Sequence, residues 1–458
     1  MKKYYILIAV LCAVLVLLIG GSILLNKKLD EDPTILNDYI DSDKLDLYSK
    51  SNKKTSSKKT TSLTEMSVTS KEEKIKDISK LSNEHEIIVT DIGEIRVEAL
   101  LSDAEWKDRL ELGFNQENIN NANKECSGLY YYDNIDKSLK QLYLEIYLAL
   151  KNHTESFYIC STKPNDIDKA FNCVMADHPL IFYSNGYMYT KYTDQDKIVK
   201  IEFIPAYTMT KDQAEKEMVR VEEYREAFLK GIKMSEDEYT KIKYTYEFII
   251  MNTEYDVNAP ENQNILSVFK YGKSVCQGYA KAFQYLAESL GIQSTLVVGY
   301  VGDNEGHAWN MVKCRGQYYY IDCTWGDSSY LENTQSTSGI EGINYDYLNI
   351  TTSELEKTHK IDNFDIVPKC TSTSDNYYVK EGLYFKDINL NQLAGAFDKA
   401  KMLGRKSVEI KCADAIVFKH MHDYLLTDNH VFDYLPADTE SINYMTNDDM
   451  YIYSFPLK

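Results

Sequence analysis

Apolar and polar positions change rhythm several times along the chain. Residues 2–28 read KKYYILIAVLCAVLVLLIGGSILLNKK, an apolar run of roughly twenty residues between lysine pairs, the length a helix needs to cross a bilayer. The run has no clear small-residue cleavage site, and Cys12, preceded by Leu11, makes a poor lipid-attachment site. It therefore predicts an uncleaved transmembrane signal anchor at 1–28. Asp30, Glu31 and Asp32 dilute the downstream lysines, which places the amino terminus inside and the bulk of the chain extracytoplasmic. Residues 29–80 are polar, and 49–62 are built only from Ser, Thr, Lys and one Asn. Such a stretch cannot bury enough apolar area to offset the entropy of ordering, so it predicts a disordered stalk.

Regular periodicity resumes near Ile87. The run EIIVTDIGEIRVEAL (86–100) is strand-like, 139–150 and 167–175 have helical spacing, and 181–190 and 197–207 read as two strands. Helices are predicted at about 211–231 and 236–252. In the stretch YGKSVCQGYAKAFQYLAESLG, Ala280, Phe283, Ala287 and Leu290 recur at helical spacing and Gly291 supplies a stop, so Cys276 opens a helix. Ser274 with Gln277 is expected to cap it reciprocally. Strands follow at 307–314 and 317–324, joined by Arg315-Gly316 as a two-residue hairpin turn. After a polar break at 370–376, strand-like 377–385, a helix ending at Gly404, strand 407–412, a helix near 415–426 and a hairpin through 446–449 complete the chain. The organisation is α+β: anchor 1–28, stalk 29–80, an N-terminal α+β region at 81–232, a core at 233–369 and a small C-terminal α+β module at 370–458.

Candidate chemistry concentrates in the core. A thiol in the first turn of a helix meets amide N–H groups and a dipole that favour the thiolate, which is the nucleophilic form. If Cys314 pairs with Gln317 across the hairpin, Trp309 lies opposite Asp322 and His307 opposite Thr324. Alternation then puts His307 and Asp322 on one face as diagonal neighbours, within reach of a carboxylate–imidazole hydrogen bond. Cys276, His307 and Asp322 thus supply a nucleophile, its base and the base's orienting group.

Those residues sit in three motifs, Cys276-Gln277-Gly278-Tyr279-Ala280, His307-Ala308-Trp309-Asn310 and Asp322-Cys323-Thr324-Trp325-Gly326-Asp327. In this order and at these separations they resemble the core of the transglutaminase-like superfamily, in its bacterial membrane-anchored branch, which is similar in fold to papain-type cysteine peptidases. The resemblance is firm over about 240–330. It implies thiol acyl chemistry by Cys276, His307 and Asp322 as peptidase, amidase or crosslinking transferase, on protein, peptide or cell-wall peptide substrates. A second oxyanion donor, a Gln or Trp upstream of the nucleophile in relatives, has no counterpart at a matching place. Tyr255 and Tyr271 are the candidates. Some family members have lost activity, so a non-catalytic surface module that binds a wall polymer or a protein is the competing expectation.

Composition narrows the remaining options. A formal charge of −19 over 458 residues argues against a nucleic-acid binder. The nine Cys show no C-x-x-C spacing, so no zinc ribbon or redox motif is expected, and most read as buried thiols, with Cys276 free. His420 and His422 lack a third metal ligand, and no acidic loop has a calcium-site pattern, so neither metal nor cofactor is expected. Asp177-His178-Pro179, just ahead of a strand, reads as structural, as do Trp309 and Trp325. The 38 Tyr against 15 Phe imply that many tyrosines are partly exposed.

Overall fold

The first described strand of the computed structural model, β1 (Ser67–Lys74), lies where the sequence predicts stalk. It pairs in parallel with a later strand from Ser67 opposite Gly186 to Lys74 opposite Thr193. Its side chains from residue 69 to 74 are exposed or half-buried, so backbone hydrogen bonds hold it and no alternating apolar face announces it. The structure describes residues 67–76, 78–82, 88–90, 93–95, 97–327, 342–361 and 367–457. The expected anchor at 1–28 and the rest of the stalk up to residue 66 lie outside them. Among the described residues no helix is long and apolar enough to cross a membrane.

A short hairpin, β2 (Ile88–Thr90) and β3 (Gly93–Ile95), precedes helices α1 (Asp103–Glu111), α2 (Gln116–Cys126), α3 (Tyr130–Asn134) and α4 (Lys137–Asn152). Apolar spacing predicts α4, whose cap Asp136 accepts from the Leu139 N–H. It does not predict α1, which buries only Trp106 and Arg109. A capping box of Ser102 and Glu105 starts α1, and a fully buried Arg109–Glu145 ion pair at 2.7 Å ties it to α4. Breaking such a pair by removing one partner costs about 3–5 kcal/mol. Strand β4 (Phe157–Tyr158) and helix α5 (Pro164–Asp177) lead into the predicted hairpin β5 (Ser184–Asp194) and β6 (Lys197–Tyr207), giving a sheet ordered β1-β5-β6-β4.

Helices α6 (Lys211–Leu229) and α7 (Glu238–Met251) appear close to their expected places. Then come β7 (Glu254–Tyr255), α8 (Ile265–Tyr271), β8 (Lys273–Ser274) and α9 (Cys276–Ser289). The central sheet is antiparallel: β9 (Ser294–Val301), β10 (Glu305–Cys314) and β11 (Gln317–Ile321) are joined by β12 (Leu348–Ile350) and β13 (His359–Ile361) in the order β12-β11-β10-β9-β13. Between them lie the turns α10 (Cys323–Gly326) and α11 (Thr352–Leu355).

The C-terminal module has helices α12 (Tyr377–Lys380), α13 (Leu390–Met402) and α14 (Ala415–His422) and strands β14 (Tyr384–Phe385), β15 (Ser407–Cys412), β16 (Met445–Asn447) and β17 (Ile452–Pro456). The strand expected at 377–385 is a helical turn followed by only two strand residues, because Asn376 caps α12 through the Tyr378 N–H.

The tyrosines fall into two groups: many, among them Tyr147, Tyr158, Tyr189, Tyr244 and Tyr318, are partly exposed, as the composition implies, and others lie inside the core. Tyr131, Tyr246, Tyr279 and Tyr378 are wholly buried, and their hydroxyls act as pins. Tyr131 donates to the Leu296 carbonyl on β9 at 2.9 Å, Tyr246 to the Asn344 carbonyl at 2.5 Å, and Tyr378 to Asp346 Oδ1 at 2.6 Å. One apolar core thus runs from Ala99 to Phe455 through all three α+β segments. Gln284 on α9 reinforces it by donating to the Ala176 carbonyl of α5 at 3.0 Å.

Candidate active site

Cys276 is the first residue of α9, as its spacing predicts, but the cap differs from expectation. Val275 occupies the cap position and no side chain caps the helix. Ser274 lies in β8, paired with Tyr255 of β7, and its hydroxyl donates to the Asn262 carbonyl at 3.0 Å and meets the Ser267 hydroxyl at 2.5 Å. Gln277 donates to the Gln263 carbonyl at 3.0 Å. The same two polar side chains therefore fasten the preceding loop, and the amide end of α9 is left to act on the thiol beside it. Gly278 permits this approach: a Cβ there would stand 1.9 Å from Ser274 Oγ and 2.8 Å from Ser267 Oγ.

The β10–β11 hairpin has the predicted register, with Cys314 opposite Gln317 and a turn in which Arg315 (φ 49°) and Gly316 (φ 79°) are both left-handed. Its second strand is shorter than expected. The ladder ends at Asn310 opposite Ile321, because Asp322 starts α10 and its Oδ1 accepts from the Thr324 and Trp325 N–H groups at 2.8 and 3.0 Å. Thr324 is therefore helical and does not oppose His307. Asp322 keeps an extended backbone (φ −128°, ψ 101°), so its side chain still leaves on the face of His307. Its Oδ2 lies 2.6 Å from His307 Nε2. With Nε2 engaged, Nδ1 is the ring nitrogen left for the thiol, and the Cys276 side chain is among the groups that raise the His307 pKa. Asn310, the last residue of its motif, donates to the Ala280 carbonyl of α9 at 3.0 Å and so sets the distance between hairpin and helix.

The electrostatics follow from these contacts. Burial disfavours a charged His307, but the Asp322 charge and hydrogen bond, joined by those of Cys276, outweigh it and raise the imidazole to about 10. Burial likewise opposes ionisation of Asp322, yet His307 and then His359 hold its carboxyl well below the usual range. The site is therefore an Asp322–His307 ion pair with the Cys276 sulfur on the neighbouring helix. Cys276 and His307 are 3% and 5% exposed.

Sequence reasoning missed His359. Its Nε2 lies 3.0 Å from the same Asp322 Oδ2, and its Nδ1 lies 2.7 Å from Thr358 Oγ1. Nothing local signals this, because β13 reaches the site by pairing with the outer edge of β9, about sixty residues earlier in the chain. Sequence also missed the Tyr279 hydroxyl, which donates to Asp327 Oδ2 and to the Thr253 carbonyl, both at 2.9 Å, and links the first motif to the third. Gly326 allows α10 to close on α7, since a Cβ there would stand 2.0 Å from the Tyr246 hydroxyl. Ligand atoms of His307, Asp322 and His359 lie within 4.8 Å of one another, a spacing a metal ion could use. Here both imidazole contacts to Asp322 have hydrogen-bond lengths, and an imidazolium at His307 has no lone pair to coordinate with.

The other candidates separate cleanly. Trp309 is buried with its ring 5.9 Å from that of His307, and Trp325 is half-buried at 6.4 Å, so both wall the imidazole. Tyr255 lies on β7 beside Ser274, whereas Tyr271 is 40% exposed and sits under Lys270. Asp177 accepts from the Tyr131 and Tyr132 N–H groups at 3.0 and 2.8 Å, a structural capping role at α3. His420 and His422 take no part in the metal-spaced group. The eight described cysteines are free and buried, and burial pushes Cys126, Cys160, Cys173 and Cys323 up and Cys314, Cys370 and Cys412 to about 12.

A cavity of about 520 Å³ is lined by Thr253, Glu254, Gly272 and Asp327 among others, and by none of Cys276, His307 and Asp322. Two of these are the partners of the Tyr279 hydroxyl.

Residues 226–323 match the family described as the transglutaminase-like superfamily, and this span contains all three candidate residues. The mouse kyphoscoliosis peptidase is 29% identical over 112 residues, which is 21% of this chain and 17% of that protein. The chain thus aligns with only about a sixth of that relative's length. Among solved structures, one described as a TGase overlaps 31% of this chain and 52% of its own, with 15% identity and a TM-score of 0.23. The periplasmic domain of TgpA from Pseudomonas aeruginosa overlaps 31% and 60%, with 14% identity and a TM-score of 0.19.

Proposed function

We propose that this protein is a thiol-dependent acyl-transfer enzyme acting on amide bonds of proteins or peptides, with water as the acceptor. The observation that carries the reading is the buried His307–Asp322 pair at 2.6 Å, an imidazole on which the Cys276 side chain also acts. In this reading the Cys276 thiolate attacks the amide carbonyl, forming a C–S bond as the carbonyl electron pair moves to oxygen. The tetrahedral intermediate collapses, the C–N bond breaks, and His307 gives its proton to the departing amine. Asp322 holds the imidazolium and its ring orientation throughout. Water, losing a proton to His307, then attacks the thioester and releases the acid and the thiolate. Water is taken as the acceptor because an amine must outcompete it for the thioester, which asks for an amine-binding subsite in addition to the triad. The relative that matches this segment is itself named a peptidase, which supports the same preference. The apolar run at 2–28 supports a membrane-tethered, extracytoplasmic placement, where cell-wall peptides are among the accessible substrates.

A second reading draws on the low exposure of Cys276 and His307: a non-catalytic surface module that keeps the fold and binds a polymer or protein. Incubation of the full chain with peptide and cell-wall mixtures, with products read by mass spectrometry, separates the two. Hydrolysed amides that vanish in Cys276→Ala are expected; unchanged substrates that co-purify with the chain would favour the binding module.

A further inference from the structure

Asp322 Oδ2 serves two imidazoles at once. His307 Nε2 lies 2.6 Å away and His359 Nε2 3.0 Å away, while Oδ1 is occupied by two backbone N–H groups. An ionised carboxylate only accepts, so the His359 hydrogen that faces it must be on Nε2. The other ring nitrogen, Nδ1, then accepts from the Thr358 hydroxyl at 2.7 Å, which fixes this tautomer. Burial, with His307 as a positive neighbour, pulls the His359 pKa below its ordinary value despite the bond to Asp322, so it is the neutral member of the pair.

The sheet explains how two histidines from separate strands converge. His307 on β10 is opposite Gly299 on β9, and His359 on β13 is opposite Val301 on the same strand. Gly299 and Val301 are two residues apart, so both imidazoles leave the same face of the sheet. Gly299 adds no side chain between them, and the two rings approach to 5.4 Å. His359 is wholly walled in by Trp309, Trp325 and Tyr347, with ring centroids at 5.0, 4.9 and 5.5 Å.

We propose that His359 is a positioning residue for the candidate triad: its Nε2–H and the α10 amides together fix both oxygens of Asp322, so that the carboxylate cannot rotate away from His307. This rests on the acyl-transfer reading of the same site. His359 touches neither thiol nor substrate in this role; it acts through Asp322. The alternative it must be distinguished from is simple aromatic packing.

The test compares His359→Gln, which keeps an amide donor near the Nε2 position, with His359→Phe, which keeps the ring and removes the donor. In the full chain, the rate at which iodoacetamide modifies Cys276 is followed by peptide mass spectrometry. The expected result is a loss of about tenfold in His359→Phe, the scale of one hydrogen bond to a charged group, and a rate within about threefold of the parent in His359→Gln. Thr358→Val, which removes the tautomer-setting hydroxyl, is expected to slow the rate in the same direction by less. Thermal unfolding of each variant shows that the folded chain is being compared. A fast Phe variant with a slow Gln variant, or equal rates in both, would overturn the role. His307→Ala is run alongside: if it leaves the rate unchanged, the acyl-transfer reading itself fails, whereas a slow His307→Ala with indifferent His359 variants removes only this inference.

Discussion

Two Cys, His, Asp groupings among the described residues can be set side by side, and they differ in their electrostatics. In the helical region Cys126 Sγ lies 3.8 Å from His178 Nε2, and Asp177 is the next residue. Asp177 directs its oxygens to the Tyr131 and Tyr132 N–H groups and the Tyr143 hydroxyl, while His178 stacks on Tyr147 at 4.3 Å and meets the Tyr143 hydroxyl at 2.9 Å. With no carboxylate on its ring, burial lowers the His178 pKa to about 3, and burial raises the Cys126 thiol. In the core burial also acts on His307, yet the Asp322 charge and then its hydrogen bond outweigh it and raise the imidazole to about 10. Residue types are alike in the two places, although His178 is half-buried where His307 is buried. What differs is which partner takes the carboxylate oxygens.

The sharpest break between the two groupings comes from removing the imidazoles. His307→Ala is expected to slow modification of Cys276 by about 10²–10⁴-fold, the usual contribution of a positioned acid–base group, whereas His178→Ala leaves it within about twofold. Next in size is the carboxylate pair. Asp322→Asn should reduce amide turnover by about 10⁴-fold, as loss of the ring's orienting anion does in triads. Asp177→Asn should instead lower stability by about 1–3 kcal/mol with the Cys276 rate unchanged, read by urea unfolding beside the alkylation assay.

The pH dependence of stability should run in opposite directions at the two sites. His307 is raised from 6.5 to about 10, so its contribution is complete below 6.5 and is lost as pH climbs through about 10. His178 is lowered to about 3, so the unfolded chain gains a proton first and stability falls as pH drops from 6.5 toward 3. Unfolding curves across pH are expected to lose their alkaline slope in His307→Ala and to flatten their acid slope in His178→Phe. The smallest effect concerns the frame alone. Gly278→Ala, with its Cβ forced to 1.9 Å from Ser274 Oγ, should cost about 1–3 kcal/mol in thermal or urea unfolding.

The contrast also explains what could be read before any coordinates. The α9 spacing, the Arg315-Gly316 turn and strand alternation are local, and they place Cys276 at a helix start and pair His307 with Asp322 even though β11 stops before Asp322. Ser274 is not the cap that its position predicts, because packing gives its hydroxyl an equally good partner in the Asn262 carbonyl. β1 and α1 escape an apolar-pattern search since one is held by backbone pairing and the other by a buried ion pair. His359 required knowing that β13 returns to the far edge of the sheet, a long-range pairing with no local signature.

Competitive alkylation of the full chain at neutral pH, with limiting iodoacetamide and occupancy read cysteine by cysteine, tests the central claim most directly. Modification of Cys276 at least about tenfold ahead of Cys126, with the lead abolished in His307→Ala, is the predicted result. Equal slow modification of both thiols, or a lead that survives loss of His307, would contradict it.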